Sequence, residues 1–120
     1  MDIEQIREYC LSKNKATESF PFDEDTLVFK VLTKMFLLAP LKSWDKGEAN
    51  IMLKCDPIYT EELRSQYNSI YAGPYIRNKH WNTINIYEGE LTTKFIKELI
   101  DHSYDMVVKG MTKKMRKSLL

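Results

Sequence analysis

Thr26-Leu27-Val28-Phe29-Lys30-Val31, followed after two residues by Lys34-Met35-Phe36-Leu37-Leu38, is the stretch whose periodicity decides the fold. Leu27, Phe29 and Val31 alternate with Val28 and Lys30, the period of two of a half-buried strand. Lys34 to Leu38 predicts a second strand, which Pro40 ends because proline cannot donate to a sheet ladder. So short a gap predicts an antiparallel hairpin. Its turn residues, however, are Leu32 and Thr33. A two-residue primed turn needs positive φ, which bulky and β-branched side chains resist, so the expectation is a wider turn or a bulge taking in Lys34.

Working outward, Asp2 and Gln5 read as a capping box that opens a helix, with Ile3, Ile6 and Cys10 as its apolar stripe. Between helix and hairpin lies Glu18-Ser19-Phe20-Pro21-Phe22-Asp23-Glu24-Asp25, read as a loop whose two phenylalanines plug the end of the core. On the other side, Trp44-Asp45-Lys46-Gly47 signals a turn, and Asn50 to Cys55 a third strand with Ile51, Leu53 and Cys55 on one face. Asp56-Pro57 starts a helix that runs to about Tyr67, an N-cap side chain followed by proline at the first helical position. Ile70 to Ile76, broken by Gly73-Pro74, predicts an edge or irregular strand. Thr83 to Tyr87 predicts a regular one, with Ile84 and Ile86 facing one way and Thr83, Asn85 and Tyr87 the other. Thr92 caps the longest helix, whose stripe includes Phe95, Ile96, Leu99, Ile100, Ser103, Met106 and Val107, and Gly110 stops it. The order α-β-β-β-α-β-β-α, with short connections, predicts an α+β two-layer sandwich: an antiparallel five-stranded sheet with helices on one face.

At 120 residues the chain is one domain's worth, and 43% hydrophobic with 29% charged residues excludes a disordered chain. Residues 1–110 read as a single domain and 111–120 as a basic tail. No apolar run approaches the ~20 residues of a membrane span, and no signal peptide is visible. Cys10 and Cys55 are too few for a disulfide framework, so reduced thiols and a cytoplasmic setting are expected; separately, the chain is expected to be a monomer. The net charge of +1 excludes a domain that is basic throughout, so any polyanion binding is local. The stretch 68–87 has Arg77 and Lys79 and no acid, whereas 88–105 returns to acidic.

Two histidines, no HxxxH, no GxSxG and no glycine-rich phosphate loop leave no catalytic constellation and no metal or cofactor site to expect. Glu98 and His102 share a helix face, read as a surface hydrogen-bonded pair. The segment that departs from background is Ile76-Arg77-Asn78-Lys79-His80-Trp81-Asn82-Thr83. By strand parity Trp81 points with Thr83, Asn85 and Tyr87, beside Arg77 and Lys79. That mixture suits phosphate contact with base stacking, or a protein interface. The structural alternative is that Trp81 packs over the sheet edge while His80 satisfies a buried carbonyl. The candidate nucleic-acid-binding residues are therefore Arg77, Lys79, His80, Trp81, Asn82 and Asn85.

Several blocks in order resemble the MmcQ/YjbR-like family of small bacterial proteins. They are Tyr9-Cys10-Leu11, Phe20-Pro21-Phe22, Asp25 to Val31 with Lys34-Met35-Phe36, Leu53-Lys54-Cys55-Asp56-Pro57, Lys79-His80-Trp81-Asn82-Thr83, and Leu99 to Asp105. The resemblance implies a CyaY-like α+β fold, also described as a double wing, and a DNA-binding label that is itself an inference from fold. Family members commonly have glycines where Leu32 and Thr33 stand. The iron chemistry of CyaY-like proteins does not carry over, because it needs a dense acidic ridge and Asp2, Glu4 and Glu8 are diluted by Arg7 and Lys13. The expectation is a non-enzymatic module that binds DNA or, alternatively, another protein through one exposed sheet face.

Overall fold

A computed structural model describes residues 1–74 and 76–120. The elements run α1 (Ile3–Leu11), β1 (Ala16–Ser19), β2 (Thr26–Val31), β3 (Lys34–Pro40), α2 (Leu41–Asp45), β4 (Asn50–Lys54), α3 (Pro57–Gln66), β5 (Ile70–Tyr71), β6 (Trp81–Asn85), a 3-10 turn (Ile86–Glu88), α4 (Thr93–Lys109) and α5 (Lys113–Lys117). The fold is α+β, but the sheet has six strands rather than five, in the order β1-β2-β3-β4-β6-β5 and antiparallel throughout.

The additional strand is β1, which lies where a loop is expected. Its inward-facing Glu18 reads as polar in sequence, yet Arg7 on α1 grips that carboxylate through Nε at 2.6 Å and Nη2 at 2.5 Å. The paired charge lets a four-residue strand close the edge of the sheet. Phe20 and Phe22 therefore lie beyond the strand end, 47% and 64% exposed, and do not plug the core. Among its described residues, Ile70 to Ile76 contributes the two-residue edge strand β5; Tyr75 in that stretch lies outside the described residues.

The hairpin is tighter than its sequence predicts. Val31 pairs with Lys34 across the two-residue turn Leu32-Thr33, with Leu32 at φ 56°. The bulge lies further in, where Phe29 pairs with Leu37 but Lys30 with Met35. Phe36 is the extra residue, and it joins Leu37 on the inner face. Leu32 tolerates its left-handed backbone because its side chain packs on the main core and its N–H reaches the carbonyl of Lys15, itself at φ 59°.

That core forms between the sheet and one layer of helices. Ile6 and Cys10 of α1, Leu63 of α3, and Ile96, Leu99, Ile100 and Val107 of α4 meet Phe29, Phe36, Leu37, Ile51, Leu53 and Ile84. The caps read in sequence are all made: Asp2 with Gln5, Asp56 ahead of Pro57, and Thr92. Residues 111–120, set apart in sequence as a tail, fold back onto the domain. Met111 is buried, Met115 and Leu119 pack on the core, and Asn14 Nδ2 donates to the Leu119 carbonyl at 2.6 Å. No helix among the described residues is long and apolar enough to cross a membrane.

The opposite face carries a second, smaller cluster of Val28, Leu38 and Met52, against which Met35 and Trp81 pack. No helical residue enters it. Phe22 and Asp23 of the 20–25 loop and Ile76 border it instead, and the Gly73 carbonyl accepts a hydrogen bond from Thr83 Oγ1. Cys10 and Cys55 are free and buried.

Candidate functional site

Chemistry-bearing residues on the helical side are consumed by the fold. Tyr9 Oη donates to Asp101 at 2.6 Å, and Lys13 pairs with the same carboxylate at 2.5 Å. Burial, helped by that hydrogen bond, pushes the Tyr9 phenol up to about 12, and burial does the same to the Cys10 thiol, opposed by the Lys13 charge and helped by that of Asp101. His102 does not pair with Glu98: its Nε2 accepts the Asp56 N–H at 3.1 Å, and its ring meets Tyr59 edge-on. Ser103 donates to the Phe36 carbonyl at 2.5 Å and accepts the Lys54 N–H at 2.9 Å. It bridges β3 and β4 just where their pairing stops, past Leu37–Leu53. Burial raises the Cys55 thiol above its ordinary value. A thiol held protonated in this way is a poor nucleophile. Among the described residues, no three His, Cys, Asp or Glu side chains gather as a metal site.

The sequence-nominated residues scatter. Asn82 is buried: its Oδ1 accepts from Arg64 Nε at 2.9 Å and its amide donates to Thr60 Oγ1 at 3.3 Å, locking α3 to β6. Asn85 is occupied as the cap of the 3-10 turn, accepting from the Tyr87 N–H and donating to Glu88. That turn ends the strand two residues early and swings Tyr87 against Trp44, ring centroids 5.5 Å apart, away from Trp81. Lys79 is exposed but paired with Glu61 at 2.5 Å, and its ammonium holds that carboxyl below its ordinary range. His80 is exposed; its backbone carbonyl, not its ring, serves Cys55 N–H at 2.8 Å. The aliphatic stem of Arg77 lies by Gly73, where a Cβ would come within 3.1 Å of its Cγ. Trp81 faces the helix-free side and is half-buried against the Val28–Leu38–Met52 cluster.

Register assembles what sequence order concealed. Lys54 is the Cα partner of Trp81, and Lys30 is the partner of Met35, on the same helix-free face. Lys34 follows the hairpin turn. Lys34, Met35, Lys54 and Trp81 line a groove of about 370 Å³ that ends against Val107 and Gly110. None of Lys30, Lys34 and Lys54 enters an ion pair among the described residues. Met35 also borders a second, apolar pocket of about 300 Å³, walled by Phe22, Asp23 and Ile76 and floored by Thr26, Leu38 and Met52.

An antiparallel sheet with its main core against a layer of helices, and a second face bearing Trp81, Met35, Lys30 and Lys54, defines an α+β protein with one sheet face free of helices. Comparison with known proteins places it more narrowly. The YjbR family pattern matches residues 11–106, and the chain belongs to that family. It is 29% identical to the Escherichia coli K12 protein YjbR over 120 residues, all of this chain and 98% of that one. It is 34% identical to YbdF of E. coli O157:H7 over 99 residues, covering 82% of this chain and 77% of that one. Among solved structures, a Deinococcus radiodurans protein with the DUF419 domain matches with a TM-score of 0.85 at 36% identity, over 98% of this chain and 86% of that one. A Pseudomonas syringae protein at 24% identity shares the fold, with a TM-score of 0.72 over 89% and 99% of the two chains.

Proposed function

We propose that this chain is a non-enzymatic binding module that takes nucleic acid on the helix-free face of its sheet. The observation that carries the reading is the groove where Lys54, the register partner of Trp81 on that face, meets Lys34 at the hairpin end, with Lys30 across from Met35 and no ion pair on any of the three among the described residues. Cations on strands supply phosphate contacts, and an indole beside them supplies a stacking surface. Arg77 extends the basic border, whereas Asn82 and Asn85 serve the fold. A second reading, a protein-interaction module on the same face, is favoured by Phe22, 64% exposed beside an apolar pocket.

Salt separates the two. Three phosphate contacts give a log–log salt slope of about −2 to −3, measured by fluorescence anisotropy of labelled oligonucleotides. Lys34→Ala and Lys54→Ala each lessen that slope by about one. Absence of saturable binding at low salt overturns the nucleic-acid reading, and the protein-interaction reading then leads.

A further inference from the structure

The two pockets adjoin at Met35 and together make a trough with opposite ends, the one beside Trp81 reaching the edge of the sheet at Val107 and Gly110. One end is basic: Lys34 and Lys54 beside Trp81, with Lys30 on the adjoining strand. The other is mainly apolar, made by Phe22, Leu38, Met52 and Ile76, with Asp23 at its wall and Glu24 and Asp25 beyond. The Asp23 carboxylate accepts the N–H groups of Thr26 and Asp25, which hold it below the ordinary carboxylate range. A phosphate is thus attracted at one end and repelled past the other. Each pocket lies at the small end of ligand-site volumes, room for a planar ring rather than for a helix or strand.

We infer that this trough selects single-stranded over duplex nucleic acid. The backbone runs along Lys30, Lys34 and Lys54, one base stacks at Trp81, and its neighbour turns into the pocket beside Phe22. The inference rests on the nucleic-acid reading of the face. A duplex keeps its bases paired and offers only their edges in its grooves. The walls formed by the 20–25 loop and by Ile76 keep such a cylinder from the trough floor, where Met35 and Met52 lie. A single strand splays its bases freely, and every base has a face that an aromatic or thioether surface accepts.

The experiment is a pair of anisotropy titrations with the full chain at low salt, using a labelled oligo-dT of about twelve nucleotides and a mixed-sequence duplex of equal length. The single strand should bind at least about tenfold more tightly. Phe22→Ala, an exposed side chain whose loss leaves the core intact, should lower single-strand affinity about five-fold or more and leave duplex affinity unchanged. Trp81→Ala should do the same more strongly, with thermal melting checked because Trp81 also packs on the sheet. Equal binding of both forms, each weakened by Lys34→Ala and Lys54→Ala, overturns the selectivity while leaving the surface assignment intact. A single-strand preference indifferent to Phe22→Ala overturns the role of the apolar pocket. Failure of both oligonucleotides to bind removes the nucleic-acid reading itself.

Discussion

The two faces of the sheet treat polar side chains in opposite ways. On the helical side the groups that point at the core are paired: Asp101 holds Tyr9 and Lys13, His102 holds the Asp56 amide, Ser103 joins two strands, and Arg7 neutralises Glu18. On the open side Lys54 stands beside Trp81 and Lys30 beside Met35, and neither lysine enters an ion pair among the described residues. Partnered groups contribute to stability, whereas unpartnered charges on a surface contribute little to it and remain available to a ligand. A residue type alone therefore says little about function here; what its polar atoms already touch says more.

Substitutions on the two faces should diverge accordingly. The largest loss is expected at Phe36, fully buried between Phe29 and an edge-on Tyr104. Phe36→Ala should cost about 3–5 kcal/mol in urea unfolding. Ser103→Ala should cost about 1–3 kcal/mol, because it strands the Lys54 N–H and the Phe36 carbonyl together; a loss near zero would show that β3 and β4 close the gap themselves.

A pH effect comes next, led by two groups of the helical side. Cys10 and Tyr9 ordinarily titrate at 9.0 and 10.0, and both are raised to about 12 in the fold. Each holds its proton more tightly when folded, so its contribution is complete below its ordinary value and is lost as pH rises through the folded one. Stability should fall between about pH 9 and 12, and Tyr9→Phe should flatten the upper part of that decline in denaturant titrations. The smallest effect belongs to the open face: Lys30→Ala and Lys34→Ala should each change stability by less than about 0.5 kcal/mol. A larger loss at either would mean that the lysine is structural and the contrast false.

Much of the fold is legible in the chain because its signals are local. The Asp2–Gln5 box, Asp56-Pro57 and Thr92 are cap chemistry written within four residues, and the alternation of Leu27, Phe29 and Val31 is a period a reader can count. Strand β1 escapes because Glu18 faces inward, and only the distant Arg7 makes that tolerable. Helix α2 escapes because its N-cap, Pro40, offers no side-chain acceptor. The site is less legible than the fold. Trp81 is found by parity, but Tyr87 is misplaced by the same parity, since Asn85 caps a 3-10 turn and ends the strand first. Lys34 and Lys54 lie on different strands and come to one groove with Trp81 only through the pairing of β3, β4 and β6.

Ser103 gives the molecule a built-in reporter. The Lys54 amide has its hydrogen-bond acceptor on α4, across the layer boundary, while the Lys54 side chain belongs to the open face. Exchange of that one amide with solvent deuterium requires the longest helix to lift from the sheet, so its rate measures a partial opening rather than fraying of a strand. A ligand held at Lys54 that favours the closed arrangement slows the exchange of the same residue from the opposite side of the sheet. One NMR resonance thus reads the cohesion of the two layers and the occupancy of the outer face together.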